Sequence, residues 1–201
     1  MAREAFIMEK TETLKDGTKA TIRNLTIEDL DRLMSFYQSL PEEDVKYLRV
    51  DVTNRNIVKQ RIEFAEAGNI FRIIALKGDS VIADGALELT TEEWRRHQGE
   101  LRVIVAEEFR RKGVGMIIMR ELYFLAIEKK VEKVVAKMMK PQVAARTICK
   151  TLGFHEELVI PDYVKDQTGK SQDLVIMTCD IQELWKELDH FYMDSDWERC
   201  R

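Results

Sequence analysis

The chain has 201 residues, 45% of them apolar and 34% charged, and a formal net charge of −4. That length fits one domain with a short appendage, and the apolar share excludes a chain that is disordered throughout. Apolar runs such as Leu122–Ile127 are far shorter than the ~20 residues needed to cross a bilayer, so no membrane protein is expected.

The first residues carry no apolar stretch of the secretory type, which sets a cytoplasmic expectation. Cys149, Cys179 and Cys200 are odd in number and form no CxxC pair, which argues against a disulfide framework and a zinc site. The acidic balance disfavours nucleic acid as a partner, since that binding needs a basic face.

Lys15-Asp16-Gly17-Thr18 is a turn signal, followed by a first strand at Ala20-Thr21-Ile22-Arg23. Thr26 and Asp29 have the spacing of a helix cap, and Ile27, Leu30, Leu33, Met34 and Tyr37 then share one helical face up to Pro41. A second helix over Asn56–Ala67 closes at Gly68. Ile70–Leu76 and Val81–Leu89 flank Lys77-Gly78-Asp79-Ser80 as an apolar hairpin.

Leu101–Val105 reads as the next strand. Gly113-Val114-Gly115 then opens a helix with Val114, Ile117, Ile118, Leu122, Leu125 and Ala126 on one side. Val131–Met138 is a strand, and Gln142–Leu152 a helix with Ala144, Ile148 and Leu152 inward, stopped by Gly153. Glu157–Ile160 and Leu174–Thr178 are strands around a polar stretch, Asp162–Gln172, bringing the sheet to about seven strands. From Ile181, the positions Leu184, Trp185, Leu188, Phe191 and Tyr192 mark an amphipathic helix. Its apolar face is expected to pack on its own domain or to form a homodimer. The organisation expected is a 1–17 segment, an 18–180 domain, and a 181–201 helix and tail.

Chemistry concentrates at Arg110-Arg111-Lys112-Gly113-Val114-Gly115, between a strand and a helix. Glycines there admit a close ligand, and the free N–H groups and dipole of a helix start favour an anion such as pyrophosphate. Basic residues in a loop are also how an ordinary solvated surface is built. The dinucleotide fingerprint would need glycine at Ile118, and the Gly-Lys-Ser/Thr of a P-loop never occurs.

Arg110 to Gly115 resembles the R/Q-x-x-G-x-G/A motif of the GNAT N-acetyltransferase superfamily, and Val103–Phe109 resembles the strand and turn before it. Ala145 to Phe154, ending Leu-Gly-Phe, is similar to the second signature of that family. The element order from Thr18 to Asp180 matches as well. Ser39–Arg49 and Gly99–Glu108 resemble segments of the bacterial Pat-type protein lysine acetyltransferases.

The resemblance implies a mixed α/β fold, with helices on both sides of a twisted sheet and acetyl-CoA bound where two strands part. It implies transfer of the acetyl group to an amine, with a protein lysine as the reading taken. It puts a general base at Glu100, pantetheine along Val103 and Val105, and pyrophosphate against Arg110, Arg111, Lys112, Gly113, Val114, Gly115 and Met116. A backbone N–H near Val103–Val105 would hold the oxyanion, and no metal is required. Where family members often carry Tyr and Asn, this chain has Cys149 and Gln142. Cys149 is therefore either the proton donor to the departing thiolate or a packing residue, and Gln142 is a candidate cofactor contact.

Glu88 is the reserve base, since a carboxylate between apolar strand neighbours either faces a cleft or is simply the polar face. Trp94-Arg95-Arg96-His97 would lie near the acceptor, or be a solvated loop. The rival functions are acetylation of a small or N-terminal amine, and an acyl-CoA-binding regulatory module with weak catalysis.

Overall fold

The computed structural model describes residues 9–194, and the side chains of Glu66, Ala67 and residues 191–194 are not described. Cys200 and the aromatic pair Phe191 and Tyr192 thus fall outside the described side chains. Eight strands form one sheet: β1 (Glu9–Thr13), β2 (Lys19–Asn24), β3 (Ile70–Lys77), β4 (Ser80–Leu89), β5 (Gln98–Val105), β6 (Lys133–Met139), β7 (His155–Lys165) and β8 (Ser171–Asp180). Their spatial order is β1-β2-β3-β4-β5-β6-β8-β7. Every pairing is antiparallel except β5 with β6. The helices are α1 (Leu30–Gln38), α2 (Glu42–Val45), α3 (Arg55–Ala67), α4 (Val114–Glu128), α5 (Val143–Thr151) and α6 (Ile181–Asp194).

This is the mixed α/β fold expected, with local corrections. The strand missing from the sequence reading is β1, whose Glu-Lys-Thr-Glu-Thr has no apolar alternation because it lies at the sheet edge. The polar stretch Asp162–Gln172 is largely strand, since β7 runs to Lys165 and β8 starts at Ser171. As the opposite edge strand, β7 faces solvent over most of its length and needs few apolar residues. In α5 the inward residues are Ala145, Cys149 and Leu152, whereas Ala144 and Ile148 are exposed. Apolar residues stand on both sides of this short helix, so periodicity alone leaves its rotation open.

Helix α4 is apolar nearly all round because it lies between the sheet and α6. Ile117, Ile118, Leu122, Leu125 and Ala126 are fully buried. Each large one contributes ~1.5–3 kcal/mol of burial. Gly85 on β4 makes this approach possible, since a Cβ there would overlap the Ile118 side chain. Leu184 and Leu188 bury α6, and Trp185 stacks on Tyr123 of α4 with ring centroids 4.9 Å apart. The C-terminal helix therefore packs on its own domain.

The entry to α1 is fixed by the buried carboxylate of Asp29. It accepts two hydrogen bonds from Arg23 at 2.6 Å and one from the Thr26 amide at 3.1 Å. No helix among the described residues is long and apolar enough to cross a membrane.

Candidate active site

Strands β5 and β6 pair for only three rungs, Gln98–Lys133, Gly99–Val134 and Glu100–Val135. Beyond Glu100 they part. β5 stays with β4 as far as Val105, and β6 stays with β8 as far as Met139. The fork leaves one edge of β5 without a ladder partner. The Ala106 amide donates to Ile82 of β4 at 2.9 Å, so by antiparallel alternation Val103 and Val105 turn their N–H and C=O groups toward the open side. Two residues on which the sequence placed pantetheine and oxyanion thus have their backbone in the fork.

Val105 also reaches the start of α4, where a Cβ on Gly115 would meet its side chain at 3.3 Å. Gly113 caps that helix with φ +91°, and Arg111 has φ +62°, so the turn from Arg110 is tightly left-handed. Residues 110–113 form a turn, and the first amides of α4, Val114 and Gly115, lie ahead of the helical ladder, which begins where Met116 and Ile117 donate to Gly113. N–H groups ahead of the ladder at a helix start form a cradle for an anion. Its side chains are partly committed. Arg110 pairs with Asp44 and donates to the Val105 carbonyl at 3.2 Å, and Lys112 pairs with Asp16 at 3.0 Å. Arg111 is exposed and has no ion pair among the described residues.

On the opposite face of the fork lies a cleft of about 140 Å³, lined among others by Glu88, Arg95, Gln98, Glu100 and Lys137. Glu100 is mostly buried there, with its carboxylate paired to Arg49 and to Lys137, the latter at 3.0 Å. Burial pushes its pKa up, but the Arg49 guanidinium and Lys137 ammonium outweigh that and hold it below the ordinary carboxylate range. Directly opposite on β4, Glu88 accepts from Arg102 at 2.7 Å.

The two substituted positions behave differently from the cradle. Gln142 turns its side-chain oxygen onto the Met139 amide at 2.8 Å, closing the turn after β6. Cys149 packs against the core, and burial raises its thiol to about 11. Trp94 is largely exposed, while Arg95 lines the cleft and pairs with Glu92 at 3.3 Å.

Arg49, Arg61, Arg102 and Lys137 were not singled out from sequence. The available signal was a charged residue on an apolar strand, Arg102 in Leu-Arg-Val-Ile-Val and Lys137 in Val-Ala-Lys-Met-Met. Arg49 and Arg61 come from segments distant in sequence, and only the fold brings Arg49 to Glu100 and Arg61 near Arg102.

The model of the acetyltransferase (GNAT) domain matches residues 19–155. No match was found among curated proteins. Among solved structures, the chain is similar to a ribosomal-protein-alanine N-acetyltransferase from Brucella melitensis, at 24% identity over 79% of this chain and 98% of that one, with a TM-score of 0.66. It is similar to the GNAT domain of PAT from S. lividans, at 18% identity over 86% and 96%, with a TM-score of 0.69. It is also similar to yncA from Salmonella typhimurium, whose structure includes acetyl-CoA as its cofactor, at 17% identity over 81% and 94%, with a TM-score of 0.67.

Proposed function

Because the chain belongs to the GNAT acetyltransferase family, whose acyl donor is acetyl-CoA, we propose that it acetylates a lysine amine of a protein, with Glu100 as general base. The observation that carries this reading is the fork between β5 and β6, which has an anion cradle on one side and a carboxylate-bearing cleft on the other. The amides at the start of α4 fit a pyrophosphate, and the open edge at Val103 and Val105 fits an amide-rich arm laid along the strand.

In this reading acetyl-CoA lies in the fork with its thioester near Glu100, and the amine arrives from the cleft. A lysine ammonium must lose a proton to become nucleophilic. Glu100, ionised at neutral pH, accepts that proton directly or through water as nitrogen bonds to the acetyl carbon. The N–H of Val103 or Val105 stabilises the charge developing on the carbonyl oxygen. The carbon–sulfur bond then breaks, and the thiolate leaves without needing Cys149, whose raised pKa makes it a poor acid. The Brucella protein is named for an alanine of a ribosomal protein, which supports a protein acceptor but, since the only amine of alanine is its α-amine, not lysine in particular.

The test is calorimetric titration with acetyl-CoA, with ATP and NAD as controls, followed by thiol release with a lysine peptide. Micromolar binding of acetyl-CoA alone and peptide-dependent release are expected. Binding without release to any amine would favour the regulatory acyl-CoA-binding alternative, and no binding would remove the cradle reading.

A further inference from the structure

On the face of the sheet that carries Glu100, positive charge exceeds negative. Arg49 and Lys137 share the single carboxylate of Glu100, and Arg102 takes Glu88. Arg61 of α3 is half-buried close by and has no ion pair among the described residues. Arg49 and Arg61 are both near enough to Arg102 to act on its charge, and burial and these two like charges together lower the Arg102 pKa. Four cations thus stand around two carboxylates, in a chain whose formal net charge is −4. The Nε of Arg102 is also buried and has no hydrogen-bond partner. Crowding of like charges beside an unsatisfied buried donor costs stability, and an arriving anion relieves both.

We infer that the acceptor carries a carboxylate next to its amine, as does a lysine flanked by aspartate or glutamate, and that Arg49, Arg61 and Arg102 receive it. This rests on the proposed acetylation at the fork. The phosphates of the donor do not fill this role, because their cradle lies at the start of α4, on the face toward which Val105 points. The amine is left beside Glu100 while its neighbouring carboxylate meets the guanidinium groups.

The experiment compares a pentapeptide with lysine between two aspartates against its isosteric analogue with two asparagines. A second pair, a free α-amino acid and its amide, separates a small-molecule source of the same anion. Thiol release gives kcat/KM, and anisotropy of labelled peptides gives affinity for the acetyl-CoA-saturated protein. About a tenfold preference for the acidic peptide is expected. In Arg61→Gln it should shrink to about twofold, with acetyl-CoA affinity as the fold check. Equal kcat/KM and equal affinity for the two peptides would overturn the inference, as would a carboxylate preference confined to the free amino acid. If acetyl-CoA binds but no peptide turns over, the acetylation reading fails by itself, and the anisotropy comparison still decides the anion preference.

Discussion

Arg49 joins the two arms of the fork: its guanidinium pairs with the Glu100 carboxylate on β5 and donates to the Lys137 carbonyl of β6 at 3.1 Å. The same contact depresses the basicity of Glu100, against a burial that would raise it. Replacement by Arg49→Gln removes one of the two depressing charges while the burial remains. The pKa of Glu100 should then rise, so the acid limb of the kcat/KM profile moves to higher pH. A pH–rate profile of the two proteins side by side reads this directly, and an unmoved limb would mean that Glu100 does not limit the rate at low pH.

Glu100→Gln keeps the size of the side chain and removes its ability to take a proton. A loss of about 10²-fold or more in kcat/KM is expected, with acetyl-CoA affinity little changed. The variant also leaves Arg49 and Lys137 without their shared carboxylate. The control is therefore Glu88→Gln, which disturbs charge at the opposite rung and should cost far less. Wild-type activity in Glu100→Gln would transfer the role of base to another group.

The sheet and the glycine cradle were legible from sequence because both depend on neighbouring residues. Alternating apolar residues mark strands, and two glycines after three cations mark a tight turn into a helix. The edges were less legible. Strand β1 has no buried face to write into its sequence, and β7 is almost as polar. The charges at the fork were least legible, since Arg49, between α2 and α3, meets Glu100 of β5 and Lys137 of β6 only in the folded chain. A fork is a matter of which rungs fail to form, and no residue type encodes that.

The cradle is sensitive to bulk and charge at Gly115, whose α-carbon faces Val105. Gly115→Asp puts a carboxylate among the amides of the helix start and should weaken acetyl-CoA binding at least tenfold by calorimetry. Asp44→Asn acts the other way. It releases Arg110, and because that pair is half-exposed the gain should be small, about twofold to threefold, and should fade as salt is raised. An unchanged affinity in Gly115→Asp would remove the phosphate cradle from the site.

Cys149→Ala separates packing from acid catalysis. The thiol is pushed up to about 11 by burial, so at neutral pH it is protonated and gives up its proton reluctantly. Turnover should stay within about twofold of wild type, while thermal unfolding reports a loss of ~1 kcal/mol from the removed sulfur. A large fall in kcat with unchanged acetyl-CoA affinity would restore the proton-donor role.

Acid stability should be governed in part by Asp29. Its burial favours the neutral acid, but the Arg23 fork and the Thr26 amide outweigh that and lower its pKa in the folded protein. In the unfolded chain the group returns to about 3.9. With the folded value the lower one, the unfolded state binds the proton more readily, so the contribution is complete above the unfolded value and is lost as pH falls through the folded value. Asp29→Asn should cost ~3 kcal/mol at neutral pH, because Arg23 keeps its charge and loses its carboxylate. The cost should shrink at low pH, where the wild-type carboxylate is protonated as well. Denaturant unfolding of both proteins at neutral and acidic pH measures this, and a cost that does not vary with pH would show that the shape of the cap, rather than its charge, holds the start of α1.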